Sequence, residues 1–460
     1  MRSSNILPLL LCAVLCGCQG YVPLSLDLDA HHAAWTLRSP EDAQVAAYAA
    51  RLAEADPGRA AYDPSDGLSL HEAELVALVL NPSLRTARLE ARVPALGAAE
   101  TGRWADPTLS FDAMRIAESV DEPWILGGSL GFTIPISGRL AMAKQLALAE
   151  ADLAMRRALR VERSTIAALR EAWVRWSQSV HRIELVASHL DRVNDVVELA
   201  AKQRQADRLG APQLRALQIE KVGRTGEIEA LRVEIERRRR LVLALTGLAA
   251  ETPIDLHPTV VLEAPSDDGT TLNELLRVHN LELAIARAKF EVADRALRLE
   301  LRKQYPDLEI GPAYEDDDGT SRVGVTLEMP VPVFDGNRRG VVEAQAAREA
   351  AKAAFEAEYE RLVSAVQDAK LGATAARRRS AWLGDQVAPL VDQQLEDLDR
   401  LGALGQIDLL VTLDALTRGL ETRTRMLDAR VEEAMAVNGL RALVEPGPAI
   451  AFENDVDESE

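Results

Sequence analysis

Apolar and polar residues alternate one by one in several short stretches of this chain. Trp124, Leu126, Leu130, Phe132 and Ile134 share one parity, and Ser129, Gly131 and Thr133 share the other. Val323, Val325, Leu327 and Met329 stand against Arg322, Gly324, Thr326 and Glu328; Leu308, Ile310 and Tyr314 stand against Asp307 and Glu309. A period of two sends the two parities to opposite faces of a β-strand. Strands are therefore expected near 107–116, 124–135, 307–314 and 321–332. Stretches of this length suit strands with one face in lipid and the other toward a lumen, and an ordinary half-buried hairpin alternates in the same way.

The rest of the chain from Leu68 to Val444 is patterned as helix. Between Gly138 and Leu209 there is no proline and no glycine, and strong helix formers dominate. About 70 residues at 1.5 Å each make a rod near 105 Å long, and Arg338 to Leu401 makes a second of about 95 Å. A return helix follows each rod. Leu214, Leu217, Ile228, Leu231, Ile235, Val242 and Leu245 lie at heptad-like spacing in the first, as do Leu413, Leu416, Leu420 and Leu427 in the second. Such a narrow seam fits helices that touch neighbours on their sides and water front and back.

The two halves repeat each other. Asn81-Pro82-Ser83-Leu84 matches Asn280-Leu281-Glu282-Leu283 at an offset of 199, and Ala87-Arg88 then falls on Ala286-Arg287 and Pro107-Thr108-Leu109 on Pro306-Asp307-Leu308. Phe132 to Pro135 parallels Leu327 to Pro330, Gly138 parallels Gly336, and Gly210 parallels Gly405. A period this long marks a duplicated unit. The reading divides the chain into a leader at 1–17, an extended arm at 18–66, repeats at 67–250 and 251–444, and an acidic disordered tail at 445–460.

Composition narrows the function. Aromatic residues are only 4% and charged residues 27% of the 460, which suits long packed helices better than a large globular core. A net charge of −19 argues against nucleic acid as a partner. Arg2 and the apolar stretch Ile6 to Leu15 form a secretory-type leader too short to span a bilayer. It runs into Leu15-Cys16-Gly17-Cys18, similar to a bacterial lipobox, which makes Cys18 the candidate lipidated residue; an ordinary leader that happens to contain cysteines is the alternative. All three cysteines lie here, so the remainder is built without disulfides. There is no phosphate-binding glycine loop, no His-Glu-x-x-His and no nucleophile elbow. His181 and His189 lie about 80° apart on a helix wheel, a poor metal pair, so neither a metal nor a cofactor is expected.

Four strands cannot close a barrel, and an open sheet edge in lipid leaves backbone groups unpaired. Three copies would supply twelve strands, an even number within the range of membrane barrels. The expected fold class is mainly α with a small β part: long coiled-coil helices forming an α-barrel, with four strands per chain contributing to a trimeric barrel.

At residues 68–444 the chain resembles the TolC-type outer-membrane efflux family. The resemblance rests on Asn81-Pro82-Ser83-Leu84, on Asp106-Pro107-Thr108-Leu109-Ser110-Phe111, on Gly131 to Pro135 leading to Gly138-Arg139, on Leu245-Thr246-Gly247, and on Met329-Pro330-Val331-Pro332-Val333-Phe334-Asp335-Gly336-Asn337-Arg338. The last run is most similar to the cation-efflux branch. The resemblance implies a homotrimeric, non-enzymatic exit duct for small molecules or metal cations, in the outer membrane and reaching into the periplasm. An inner-membrane pump would drive it through a periplasmic adaptor. Adaptor contacts would fall on the two helix-to-helix turns, here Arg208, Leu209, Gly210 and Ala211, and Leu401, Gly402 and Gly405. Asp408 and Asp414 follow the second turn. Repeated by threefold symmetry they could form a cation-selective gate ring, or each could be a helix-start carboxylate facing the helix dipole. Glu315 to Asp318 is expected as a solvated loop between strands, with a cation-attracting mouth as the alternative. Rival readings are a structural coiled-coil envelope lipoprotein and a lipid-anchored periplasmic enzyme; the first leaves the strands and the duplication unexplained, and the second lacks a catalytic constellation.

Overall fold

The computed structural model describes residues 21–55, 61–117, 124–264, 271–317, 320–403 and 408–445. The leader, Cys18 and Gly405 lie outside them. Among the described residues two short helices come first, α1 (Leu28–Thr36) and α2 (Ala43–Ala55). The first repeat follows as α3 (Leu70–Leu80), α4 (Pro82–Glu100), β1 (Thr108–Arg115), β2 (Trp124–Ile134), α5 (Arg139–Gln205) and α6 (Ala211–Thr246). The second runs α7 (Leu272–His279), α8 (Leu281–Arg302), β3 (Leu308–Asp317), β4 (Thr320–Glu328), α9 (Arg338–Trp382), α10 (Ala388–Ala403) and α11 (Leu409–Val444).

The same local chemistry starts each repeat. Ser69 and Glu72 form a reciprocal capping box on α3, as Thr271 and Glu274 do on α7. Asn81 then ends α3 and caps α4: its Oδ1 accepts from the N–H groups of Ser83 (2.9 Å) and Leu84 (3.1 Å), and its Nδ2 donates to the Leu245 carbonyl at the end of α6 (2.7 Å). Asn280 does the same between α7 and α8, accepting from Leu283 N–H (2.9 Å) and donating to the Leu443 carbonyl (2.9 Å). One buried amide thus fastens a helix start to the end of each return helix. Gly247 closes α6 with φ +86°, and a Cβ there would collide with the Leu80 carbonyl.

The 67 residues of α5 span about 100 Å. This helix is the spine, packed by α3, α4, α6, α8 and α11. The largest core cluster surrounds Trp173 and Leu169 of α5, with Val76 of α3, Leu243 of α6 and Leu248 after it. Farther along, Leu217, Leu409 and Leu416 bury with Val196 and Ala200 of α5, so residues of the heptad-like seams do line the interior.

Several details depart from the sequence reading. The arm at 18–66 is not simply extended: α2 places Val45, Ala49 and Leu52 on one face, and Leu75 of α3 covers Ala49 and Leu52. Three positions over two turns are too few to show as a period. The second rod is interrupted by a π turn at Leu383–Val387, which contains Gly384; Gly340 and Gly372 lie in α9 without breaking it, so a lone glycine gives no clear warning. β4 stops at Glu328 rather than near 332, because Pro330 and Pro332 have no N–H for a ladder. Glu315, Asp316 and Asp317 belong to β3 rather than a loop: Arg322 lies opposite Glu315 and pairs with it (2.8 Å) and with Asp317 (3.2 Å). Glu445 is no free tail residue either, since Arg170 and Arg441 both bond its carboxylate; positions 446–460 lie outside the described residues.

Candidate channel-forming surfaces

The four strands form one antiparallel sheet in the order β1-β2-β3-β4, so the two repeats join at the β2–β3 seam. Its register sorts the residues by face. Leu109 pairs with Leu130, Phe132 with Ile310, and Ile310 with Leu327; Val325 pairs with Pro312 and Val323 with Tyr314. All of these fall on one face. Within a single chain that face is bare: Phe111 is 81% and Val323 82% exposed. A soluble protein rarely leaves so continuous an apolar surface open.

The opposite face carries Asp112, Ser129, Thr133, Glu309, Glu315, Arg322, Thr326 and Glu328. Glycines make room for its carboxylates: a Cβ at Gly127 would strike the Asp112 carboxylate, and one at Gly131 would strike Glu309. Thr108 donates across Gly131 to Glu309 (3.1 Å). Carboxylates outnumber cations on this face. β1 and β4 are exposed along their whole length, and among the described residues each pairs on one side only. The sheet is therefore open at both edges, with one face suited to hydrocarbon and the other to water.

Where the hairpins meet the helices, Arg139 at the start of α5 donates its Nε to Asp307 just before β3 (2.7 Å). The pair ties the two repeats together beneath the sheet. The local periods of the sequence carry no sign of this contact, because each partner lies in a different repeat.

At the far end, α5 and α6 are joined by a tight turn. Asp207 adopts a left-handed conformation with φ 54°, the Arg208 N–H bonds the Gln203 carbonyl (2.9 Å), and Gly210 N–H bonds Gln213 Oε1 (2.8 Å). Leu209 packs on the Val196–Leu217 cluster, and Ala211 opens α6. Leu401 and Gly402 lie in the last turn of α10. Asp408 caps α11, accepting from the N–H groups of Leu410 (3.0 Å) and Val411 (3.3 Å). Asp414 forms an i,i+4 pair with Arg418 (2.9 Å). In one chain these two carboxylates are thus a helix cap and a surface ion pair.

The histidines are separate. His181 faces Glu184 (3.2 Å), and buried His189 faces Glu220 (3.4 Å). Burial lowers the His189 imidazolium pKa below its ordinary value, with Glu220 opposing the shift. Among the described residues no group of His, Cys, Asp or Glu is arranged to hold a metal ion. No described helix is long and apolar enough to cross a membrane.

One buried pair has no signal in the sequence pattern. Arg88 of α4 meets Glu162 of α5 at 3.0 Å, and Arg88 also donates to the Leu78 carbonyl (2.7 Å). Desolvation raises the Glu162 pKa against the pull of Arg88.

No family model matches the sequence, and no curated protein matches it. Solved structures do match the fold. The outer-membrane channel OprN is 18% identical, with 84% of this chain covering 94% of that one at a TM-score of 0.69. The outer-membrane protein VceC from Vibrio cholerae is 17% identical, with coverage of 82% and 96% and a TM-score of 0.67. CusC, described in terms of folding and transmembrane channel formation, is 13% identical, with coverage of 85% and 96% and a TM-score of 0.70. The chain has the mainly helical, TolC-like fold of these structures, with its small four-stranded sheet.

Proposed function

We propose that this chain is a subunit of a TolC-type outer-membrane efflux duct. It acts as a homotrimer, is not an enzyme, and passes small molecules or metal cations that an inner-membrane pump delivers through a periplasmic adaptor. The observation that carries this reading is the sheet, apolar on one bare face, polar on the other, and unpaired at both edges. Three such sheets side by side make twelve strands with their edges mutually paired. The helices below then form the walls of a duct about 100 Å long. An excess of carboxylates on the lumen-side face favours cations.

Further assignments complete the proposal. The turns containing Arg208, Leu209, Gly210 and Ala211, and Leu401, Gly402 and Gly405, contact the adaptor. Asp408 and Asp414 form the constriction: a capping carboxylate retains free lone pairs, and Arg418 is an exposed partner that cargo can displace. Cys18 carries the lipid anchor. Outer-membrane extracts should contain trimers that fall to monomers on heating, and the purified trimer should give stepwise conductance in planar bilayers. Recovery of the protein only as a water-soluble monomer would end this reading. Cys18→Ser should abolish palmitate labelling and leave trimers in the membrane fraction; label retained after the change would exclude Cys18.

A further inference from the structure

The internal duplication identifies which surfaces of one copy meet the next, granted the trimeric reading above. The two capping asparagines, Asn81 and Asn280, give an offset of 199 for the elements they begin, and the carbonyls they bind, Leu245 and Leu443, give 198 for the return helices. Contacts made within the chain can be carried across by these offsets.

Within the chain, α8 packs on α5, burying Ala288 and placing Val292 beside Leu153. The equivalent contact would join α4 to α9, and these two helices make no comparable packing within the chain. The positions on α4 that match Ala288 and Val292 are Leu89 and Val93, 51% and 69% exposed. On α9, Val342, Ala346, Ala350 and Ala353 share one exposed face, while the matching Ala143, Ala147, Ala151 and Ala154 of α5 are partly buried. A stripe of large side chains on α4 therefore has a small-residue face to receive it.

The return helices show the same deficit independently. α11 packs against both long helices, α5 and α9, whereas α6 packs against α5 alone of the two. Leu420 and Val431 of α11 are both 7% exposed; the matching Val222 and Val233 of α6 are 70% and 71% exposed. Beneath the sheet, Arg139 is paired with Asp307. Its counterpart Arg338 is exposed and has no ion-pair partner among the described residues. Thr108 occupies the place of Asp307 and is itself bonded to Glu309 on the polar face of the sheet; the carboxylate closest along the chain on the approach to β1 is exposed Asp106, two residues earlier.

We infer that α9 of each copy packs between α4 and α6 of the next copy of this chain, with Arg338 paired to Asp106 across that seam. All three helix faces are bare for the same reason: the chain holds only two of the six repeats in the ring, so one of every two repeat junctions is made between copies. Charge complementarity at Arg338 and Asp106 sets the height of one copy against the other, as Arg139 and Asp307 do inside the chain.

The test uses the full chain carrying Asp106→Cys with Arg338→Cys, since the only native cysteines are Cys12, Cys16 and Cys18. Outer membranes are treated with a short bis-maleimide and run on a denaturing gel. A ladder of monomer, dimer and trimer is expected, absent from the wild type and from either single variant. Arg139→Cys with Asp307→Cys should close within one chain and give no ladder. Trimers of the correct mass in mild detergent without the 106–338 ladder would overturn the seam and leave the trimer standing. Monomeric mass for the wild type would overturn both. As a second measurement, Asp106→Arg and Arg338→Asp should each lower the temperature at which unheated trimers dissociate, and the two together should restore it. A combination no better than the worse single change would refute the pairing.

Discussion

Val325→Arg is the sharpest probe of the sheet's faces. Val325 lies near the middle of β4, opposite Pro312 near the middle of β3, and is 72% exposed on the apolar face. In a barrel that position is close to the bilayer midplane, where an arginine facing lipid costs about 2–4 kcal/mol. Three copies in one barrel raise this to roughly 6–12 kcal/mol per trimer, comparable with the whole stability of a typical domain. Thr326→Arg is the control. Its side chain points to the other face and donates to the Gly311 carbonyl at 3.1 Å, so its loss removes one hydrogen bond worth about 1 kcal/mol and places the charge in water. The assay is the yield of heat-modifiable trimer in outer membranes, with the denaturant midpoint of purified trimer as the quantitative readout. Val325→Arg should abolish or sharply reduce trimer, and Thr326→Arg should retain most of it. If Thr326→Arg were equally or more damaging, the assignment of lipid and lumen faces would be wrong.

Three other perturbations test the helical part. Asn81→Ala removes the cap from two N–H groups and leaves the Leu245 carbonyl without its donor; a loss of about 2–4 kcal/mol in chemical unfolding is expected from the cap and the orphaned carbonyl together. Arg88→Ala leaves the Glu162 carboxylate buried and unpaired, which should cost about 3–5 kcal/mol, and adding Glu162→Gln should recover most of it. Because burial raises the folded-state pKa of Glu162, the Arg88→Ala variant should gain stability as pH falls through the range just above the ordinary carboxylate value, read from melting temperatures. His189 has the opposite sign: its folded pKa is lowered, so its contribution is complete above about pH 6.5 and is lost as pH falls through the folded value. His189→Gln should flatten the acid limb of the melting-temperature profile, and an unchanged limb would exclude the residue as its cause.

Much of the architecture is legible in sequence because it is written in local periods. Alternation of Val323, Val325 and Leu327 against Arg322, Gly324 and Thr326 fixes a strand whatever packs on it, and a proline-free run from Arg139 to Gln205 fixes a helix. Asn81 and Asn280 stood out as matched landmarks, and the structure gives them a reason: each must cap one helix and hold the end of another. What sequence did not show depends on pairing across distance. Arg139 with Asp307 and Arg88 with Glu162 are single residues among 53 basic and 72 acidic ones, and no period marks them. The π turn at Leu383–Val387 contains Gly384, but Gly340 and Gly372 sit inside α9 without interrupting it, so a single glycine does not separate the turn from the helix on either side.

The candidate site is less legible than the fold for a related reason. Asp408 was readable as a helix start from its place before an apolar run, and within one chain it is a cap. Whether three such carboxylates face one another is a property of the ring, and no pattern along a single chain encodes an angle about a shared axis. The exposed stripes do carry that information once the repeats are aligned. Val222 and Val233 are as apolar as their buried counterparts Leu420 and Val431, and a solvated face would gain nothing from keeping them. A lone surface valine needs no explanation, but exposed residues that match buried ones position by position across a duplication do. The deficit falls on α4, α6 and α9 together, at one junction, and that is the expected signature of a chain that is two-sixths of a closed ring.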